Sequence, residues 1–408
     1  MEIQVDKDTE VIDAQGLLCF PGVIDTHVHF REPGLTHKAD MHSESRAAIA
    51  GGVTSFIDMP NTNPQTTTIE ALNNKFFCAT RTSLANYSFY LGATNDNVEE
   101  LMKDEARRAA GIKVFMGSST GNMLVDSPEI LKQIFSLNQL VAVHCEDEST
   151  ILKNHEEFLH EDLNITFHPK IRSEEACWKS SSHAVELAQK HDTHLHLLHI
   201  STEKELSLLD TKPLRDKRIT AEACVHYLWF CDKDYVRFHN AIKCNPAIKT
   251  KADRDALRKA VIKGKIDIIS TDHAPHLWAE KQGNCLTAAS GISMIQHSLV
   301  AMLELCQQDI FTYETIVEKM CHNPAVLFGI KDRGFIKEGY YADLVLVDPN
   351  QPWTVGTENI LSKCGWSPFE KMVFSHKVVK TFVNGNMVYN NGIFNKNVHG
   401  MKLKFAKQ

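Results

Sequence analysis

The strongest constraint on the fold is a repeated alternation of short apolar runs with longer amphipathic stretches. Runs rich in β-branched residues recur between residue 23 and about residue 270, and each has the length of a buried strand. The runs are Val23–Phe30, Val53–Pro60, Tyr87–Gly92, Gly111–Gly117, Leu140–Glu146, His194–Ile200, Ile219–Cys224 and Ile266–Thr271. Strands that alternate with helices predict parallel pairing, and eight such units favour an α/β fold of the closed (β/α)8 type, a TIM barrel.

The stretches between these runs have apolar residues at spacings of three and four, which is typical of helices packed on a sheet. They include Lys38–Ala50, Ile69–Arg81, Asn97–Ala110, Ser173–Lys190 and Thr250–Lys263. A doubly wound open sheet would give the same alternation, but no GxGxxG motif follows the first strand. We therefore assign residues 23–327 to a (β/α)8 barrel.

The two chain ends have a different pattern, which predicts a second, smaller module. Tyr340–Asp348 and Val378–Tyr389 have the character of strands, and the pair Asn384-Gly385 is a hairpin signal. Similar segments near the start of the chain are Val11–Asp13, a turn at Gly16 and Leu17–Phe20. We expect residues 1–22 and 328–408 to form a small module resembling a β-sandwich beside the barrel.

Composition excludes several classes of function. The chain has 408 residues and a net charge of −7, which disfavours a general nucleic-acid or anionic-membrane binder. The acidic N-terminus lacks the apolar core of a signal peptide, and no run approaches the ~18 apolar residues of a membrane span. The 11 cysteines include no CxxC pair and indicate reduced thiols. We expect a cytoplasmic protein with no nucleic-acid or membrane partner.

Histidines close several of the predicted strands, and a barrel gathers those strand ends at one mouth. His27 and His29 project to the same face of the first strand, because side chains alternate along a strand. His144 and His199 end the fifth and sixth strands. A single histidine of this kind is more often structural, but four that converge on one mouth indicate a metal site.

Two further polar residues complete the predicted mouth, and each has two interpretations. Asp272 follows the eighth strand, where a carboxylate could bind zinc and act as a general base, or could form an Asx-turn or helix cap. Lys113 lies on the fourth strand, where CO2 could convert it to a carbamate that bridges two metals ~4 Å apart. The alternative for Lys113 is an ion pair with Glu222 or Asp272.

Longer motifs around these residues resemble the amidohydrolase superfamily in its class I dihydroorotase form. The motifs are Asp25–Gly34 (DTHVHFREPG), Ala50–Thr54 (AGGVT), Asp58–Pro64 (DMPNTNP), Asn245-Pro246, Ser270–His276 (STDHAPH), Asn323–Ala325 (NPA) and Ala342–Leu344 (ADL). The resemblance extends from Gly16 to about Tyr389 and implies a fold shared with hydantoinases and allantoinases.

The resemblance also implies a role for each matching residue. The implied metal ligands are His27, His29 and Asp272 for the more buried ion, His144 and His199 for the second, and carboxylated Lys113 as the bridge. The implied substrate-binding residues are Arg31, Asn61 and His276 for a carboxylate, Asn245 against the ring, and the backbone near Ala288 and Gly291. The implied cofactor is Zn²⁺, with two ions per subunit that a hydroxide also bridges.

The implied reaction is the reversible hydrolysis of dihydroorotate to carbamoyl-aspartate in pyrimidine biosynthesis, with Asp272 moving the proton. The guanidinium of Arg31 matches a carboxylate and favours an acidic ring as substrate. Two alternatives stay open: another cyclic amidohydrolase (allantoinase, dihydropyrimidinase or hydantoinase), and a non-catalytic relative that serves as a partner subunit. A homodimer and an association with aspartate transcarbamoylase are the macromolecular partners that the resemblance suggests.

Overall fold

The computed structural model describes residues 10–117, 123–158 and 163–406. The chain enters the barrel through a short strand, β1 (Leu18–Pro21). The barrel strands are β2 (Val23–Val28), β3 (Val53–Asp58), β4 (Asn86–Phe89), β5 (Leu91–Gly92), β6 (Ile112–Phe115), β7 (Val141–His144), β8 (Leu195–Leu197), β9 (Ile219–Cys224) and β10 (Ile268–Ser270). Each of the eight apolar runs predicted from the sequence contains at least one of these strands.

All neighbouring barrel strands pair in parallel, as the alternation of strands and helices predicts. The third run, Tyr87–Gly92, forms two strands: β4 pairs with β3, whereas β5 pairs with β6. A parallel bridge between Val28 and His273 joins β2 to the segment after β10. The predicted (β/α)8 barrel is therefore confirmed, with its third strand divided at Tyr90 between two neighbours.

The helices surround the barrel, and several begin at a residue whose side chain accepts a backbone hydrogen bond, as Asp40 does from Ser43. They are α1 (Met41–Ala50), α2 (Ile69–Thr82), α3 (Val98–Leu101), α4 (Pro128–Phe135), α5 (Glu148–Glu157), α6 (His168–Ile171), α7 (Glu174–His191), α8 (Val225–Trp229), α9 (Tyr235–Phe238), α10 (Lys251–Ile262), α11 (Ser298–Gln307), α12 (Tyr313–Val317) and α13 (Asn323–Phe328). The predicted helix Asn97–Ala110 is wrong as one element, because extended backbone at Lys103 separates α3 from a 3₁₀ turn at Asp104–Arg108.

Both ends of the chain contribute to one antiparallel sheet. Its further strands and a separate two-stranded pair are β11 (Leu344–Asp348), β12 (Trp353–Thr354), β13 (Val373–Phe374), β14 (Lys377–Val383), β15 (Asn386–Asn390) and β16 (Ile393–Phe394). The strand order is β1-β11-β14-β15-β16, and β12 pairs with β13. Asn384 and Gly385 both have positive φ (54° and 82°) and form the predicted hairpin turn between β14 and β15. Val11–Asp13, which we expected to have strand character, lies outside any strand.

Residues 400–406 return from this sheet to the N-terminal end of the barrel. Leu403 is buried in a cluster with barrel residues such as Ile24 and Ile57. Its backbone N–H donates to the carbonyl of Tyr87 (2.9 Å), at the start of the third strand. The segment therefore covers the barrel at the end opposite to the predicted mouth. Over the described ranges, no helix has the length and apolarity needed to cross a membrane.

Candidate metal centre and substrate cleft

The C-terminal ends of the barrel strands enclose a narrow cleft. The predicted site residues on its wall are His27, His29, Arg31, Asn61, Lys113, His144, His199, Asn245, Asp272 and Gly291. Ser290, inside the predicted segment 288–291, also lines the cleft, as do Phe115 and Ala274, which were not predicted. His276 and Ala288 lie just behind this wall. The barrel thus brings together residues that are as much as 264 positions apart in the sequence, from His27 to Gly291.

Three donor atoms converge at the base of the cleft. His27 Nε2 lies 3.1 Å and His29 Nε2 lies 3.0 Å from Oδ1 of Asp272. Two imidazole nitrogens and one carboxylate oxygen at this spacing are a donor set that suits Zn²⁺. Although burial opposes ionisation of Asp272, the two histidines hold the pKa of its carboxyl well below the usual range. The carboxylate is therefore in the form that binds a cation.

His27 on β2 and His29, which directly follows the end of β2, are each oriented through the other ring nitrogen. His27 Nδ1 lies 2.5 Å from Oε1 of Glu222, and His29 Nδ1 lies 2.8 Å from Oδ1 of Asn61. Because both Nδ1 atoms face oxygen acceptors, both Nε2 atoms are left for a metal. Glu222 is fully buried on β9 and also lies 3.4 Å from His196 Nε2. We had considered Glu222 only as a partner for Lys113, and its place near the end of a strand was the available signal.

A second pair of imidazoles lies beside the first group. Nδ1 of His144 is 2.8 Å from Nε2 of His199, and the rings of His199 and His27 are 5.5 Å apart between centroids. Burial lowers the pKa of both His144 and His199, so both rings are neutral, as a metal ligand must be. Nε2 of His144 lies 3.2 Å from Glu146, which fixes the orientation of the ring from behind.

Lys113 on β6 projects into the cleft between the two groups of histidines. Its side chain is buried, and Nζ donates to the carbonyl of Val114 (3.1 Å). Among the described residues no carboxylate lies within ion-pair distance of this ammonium, so the pairing with Glu222 or Asp272 that we considered is absent. Burial lowers the pKa of Lys113 to about 7. An amine that is easily deprotonated is the form that reacts with CO2.

Arg31 places a buried guanidinium on the cleft wall. Its Nε donates to the carbonyl of Pro275 (3.0 Å), and Nη2 lies 3.0 Å from Nε2 of His276. Within the described ranges the guanidinium forms no ion pair with a carboxylate. Burial lowers the pKa of Arg31 to about 10, which still leaves the group charged at neutral pH. The arrangement presents a positive charge to the cleft.

His276 supports Arg31 instead of lining the cleft itself. Its Nδ1 lies 3.2 Å from Nζ of Lys38, and its Nε2 lies 3.1 Å from the carbonyl oxygen of Ser290. The contact of His276 with a substrate carboxylate therefore stays a prediction, since the ring is already engaged by Arg31, Lys38 and Ser290.

Two buried lysines hold the segment 288–291 against the cleft. Nζ of Lys281 donates to the carbonyls of Lys243 (2.9 Å), Ala289 (2.9 Å) and Gly291 (2.8 Å). The ammonium of Lys243 donates to the carbonyl of Ala288. Gly291 has φ of +148°, and a Cβ there would lie 2.4 Å from the carbonyl oxygen of Ala274. The backbone at Gly291 can thus approach the cleft only because no side chain is present.

The backbone is strained at three residues of the site. Arg31, His199 and Asp272 have φ of 67°, 41° and 47°, a region that residues other than glycine rarely adopt. Such conformations cost about 1–3 kcal/mol each and tend to occur at functional sites. All three side chains point into the same cleft, which supports its assignment as the site of function.

Comparisons with known proteins agree with the barrel fold and identify the family. A profile of the amidohydrolase family matches residues 18–388, so the chain belongs to this family. A dihydroorotase of Methanosarcina acetivorans is 33% identical over 384 residues, which cover 91% of this chain and 82% of the relative. An allantoinase of Bacillus velezensis is 30% identical over 397 residues, which cover 95% of this chain and 87% of the relative.

A solved structure has the same fold over nearly the whole chain. The L-hydantoinase (dihydropyrimidinase) from Arthrobacter aurescens superimposes with a TM-score of 0.92 at 26% identity, covering 98% of this chain and 92% of that chain. The names of these relatives and of the structural neighbour indicate different cyclic amide substrates. Membership in the family therefore does not define the substrate, which has to be inferred from the residues of the cleft.

Proposed function

We propose that the protein is a dihydroorotase, which hydrolyses the cyclic amide of (S)-dihydroorotate reversibly to N-carbamoyl-L-aspartate in pyrimidine biosynthesis. The observation that carries the proposal is the buried, unpaired guanidinium of Arg31 beside the metal-binding residues. A charge removed from water is costly unless a partner compensates it, so the cleft favours a ligand that brings a negative charge. Dihydroorotate has a ring carboxylate, whereas allantoin, hydantoin and dihydrouracil are neutral.

The polar groups around Arg31 support an anionic ring in a defined orientation. Asn61 lines the cleft on the side of His29, and the amide oxygen of Asn245 is buried with no hydrogen-bond partner in the described part of the chain. An unsatisfied buried acceptor is unfavourable, and an N–H of a cyclic imide or amide would satisfy it. Arg31 and Asn245 would thus bind the carboxylate and a ring N–H respectively.

The donor set supports two zinc ions. His27, His29 and Asp272 would hold one ion, and His144 with His199 would hold the other. Lys113 lies between the two groups, and as a carbamate it would supply an oxygen to each. When bound, the ions supply Lewis acidity at the amide carbonyl and a nucleophilic water at neutral pH.

Asp272 is placed to move the proton during hydrolysis. Its Oδ1 faces His27 and His29, and its second carboxylate oxygen would accept a proton from the attacking water. In the proposed reaction Asp272 takes that proton and returns it to the ring nitrogen as the C–N bond breaks. Glu222 and Asn61 keep the two imidazoles fixed throughout, and the buried wall excludes bulk water.

A substrate panel tests the proposal. The purified protein should cyclise carbamoyl-aspartate and hydrolyse dihydroorotate, with kcat/KM at least about 100-fold above the values for allantoin, hydantoin and dihydrouracil. Zinc should be measured on the same sample, and about two ions per chain are expected if Lys113 bridges them. A preference for a neutral ring would assign the protein to the allantoinase or hydantoinase activities. Loss of all turnover in a zinc-loaded sample would indicate a non-catalytic partner subunit.

A further inference from the structure

A second groove lies at the N-terminal end of the barrel, opposite the metal-binding cleft. It has a volume of about 780 Å³, within the usual range of small-molecule sites. Basic side chains on its wall are Arg107, Arg108, Lys331, Lys402 and Lys404, and the ring of Phe405 also lines it. Arg108 precedes β6, and the segment 400–406 covers the bottom of the barrel, so this groove is separate from the active-site mouth.

Among the described residues, the positive charges of this groove have no carboxylate partner, although the ammonium of Lys402 lies 3.7 Å from the centroid of the Phe76 ring. No Asp or Glu among the described residues lines it, and none of its five basic side chains forms an ion pair there. Some exposed lysines elsewhere do pair with carboxylates, as Lys204 does with Glu175 and Lys251 with Asp255. In a chain with a net charge of −7, such a cluster of unpaired cations is unusual.

The cations are also held close together by the backbone. The N–H of Lys331 donates to the carbonyl of Lys404 (2.8 Å), and the N–H of Ala406 donates to that of Gly329 (2.7 Å). Burial and the positive charge of Arg108 lower the pKa of Lys402 to about 8. Because the backbones of Lys331 and Lys404 are paired, both residues contribute their charges to the same groove, where an anion would be attracted by both.

We infer that this groove is a binding site for a polyphosphate group, either free or carried by a nucleotide. Several ammonium and guanidinium groups that line one groove match the multiple negative charges of a di- or triphosphate. Phe405, which is partly exposed at the groove, offers a surface on which a nucleobase can stack. The groove is half open, and its volume suits a small ligand. The inference does not rest on the proposed function, since it uses none of the residues of the metal centre.

Calorimetric titration of the full chain with ATP, tripolyphosphate and adenosine tests the inference. We expect ATP and tripolyphosphate to bind at one site per chain and adenosine not to bind. Affinity should fall as salt is raised from about 50 to about 200 mM. If ATP binds more tightly than tripolyphosphate, and Phe405→Ala weakens the binding of ATP, the natural ligand is a nucleotide. If ATP and tripolyphosphate bind with equal affinity, the natural ligand is the free polyphosphate. If neither polyphosphate binds, the inference is overturned.

Charge reversal locates the site. The double variant Arg108→Glu/Lys404→Glu should weaken binding about 100-fold or more, since it replaces two attractions by two repulsions. Lys396→Glu, on an exposed loop outside the groove, is the matched control and should bind normally. The His144→Ala variant should also bind polyphosphate normally, because His144 lies in the metal-binding cleft and not in this groove. Weaker binding by this variant would show that the polyphosphate chelates metal in the active site instead. Undiminished binding by the folded double variant would contradict the assignment.

Discussion

At the scale of single residues, Arg31 decides which ring the cleft accepts. Its guanidinium is buried and unpaired among the described residues, and its backbone adopts a strained φ of 67° to bring it there. Enzymes of this family share one fold but act on either neutral or acidic rings. A buried charged residue such as Arg31 is the kind of difference that can distinguish these two classes of substrate. The position of Arg31 behind the metal ligands makes it the residue to test first.

Replacing Arg31 by Met should abolish the preference for an acidic ring. We expect kcat/KM for dihydroorotate to fall about 10²- to 10³-fold, because truncating one partner of a buried charged pair costs about 2–5 kcal/mol. Bound zinc should be unchanged, since the side-chain hydrogen bonds of Arg31 go to Pro275 and His276 and not to a proposed metal ligand. Arg215→Met, at a fully solvated arginine, is the control and should leave turnover unaltered. Normal turnover of Arg31→Met with dihydroorotate would refute the substrate assignment.

The sequence predicted the residues that converge in the cleft more completely than the groups that orient them. HxH on a strand predicts two imidazoles on one face, and that pattern is visible without any structure. The contact between His27 and Glu222 joins residues 195 positions apart, and no local pattern records such a pair. His276 matches a family motif, but only the packing of Arg31 and Lys38 around its ring shows that it lies behind the wall.

At the scale of elements, the segment 288–291 depends on a lysine that no motif singles out. Lys281 is fully buried, and its ammonium donates to three carbonyls, two of them in this segment. The backbone of this segment forms one side of the cleft through Ser290 and Gly291. The shape of the segment is thus set by the side chain of Lys281, which lies outside it. The sequence motifs therefore predicted that the segment contacts the substrate, but they did not predict the lysine that holds it in place.

Lys281→Met should loosen this segment while it preserves the metal centre. Three carbonyls would lose their donor, which should lower the free energy of unfolding by about 2–4 kcal/mol. We expect KM for dihydroorotate to rise about tenfold with a smaller change in kcat, because the segment shapes the binding wall. Urea unfolding and steady-state kinetics measure the two effects. Lys396→Met serves as the control, and an unchanged KM in Lys281→Met would contradict this role.

The barrel strands were predictable because buried parallel strands are short, β-branched and regularly spaced. The exception is the third strand, in which β4 and β5 pair with different neighbours on either side of Tyr90. The sequence of this third strand is one continuous apolar run, so it gives no sign of a break. The break at Tyr90 arises from how the backbone pairs with the neighbouring strands on each side. The failed helix Asn97–Ala110 has a related cause, since its apolar spacing is helical but its backbone is extended at Lys103.

At the scale of the whole molecule, the last described residues belong to the barrel as much as to the end sheet. Leu403 is 1% exposed and packs against Ile24 and Ile57 of the first two barrel strands. The family motifs that we recognised stop near Tyr389, so the contribution of this segment could not be derived from them. The barrel is therefore enclosed at its lower end by residues that follow every recognised motif.

Leu403→Ala should destabilise the barrel without affecting the active-site cleft. Removal of a buried leucine side chain costs about 2–5 kcal/mol, depending on how far the cavity collapses. Met401→Ala, which truncates a neighbouring side chain that is 39% exposed, is the matched control and should cost less than about 1 kcal/mol. Both are measured by denaturant unfolding of zinc-loaded protein. Equal stability of the two variants would show that Leu403 does not hold the lower end of the barrel.

The pairing of β1 with β11 has a consequence for how the chain folds as it is synthesised. Leu18 lies opposite Val347, so β1 leaves the ribosome roughly 330 residues before its partner exists. At a synthesis rate of about 5–20 residues per second, β1 has an unpaired edge for roughly 15 to 65 s. Slower translation of the last third of the message should therefore lengthen the time for which β1 is unpaired in nascent chains. During that time nascent chains can associate through the edge of β1, although the structure of the finished protein would be unchanged.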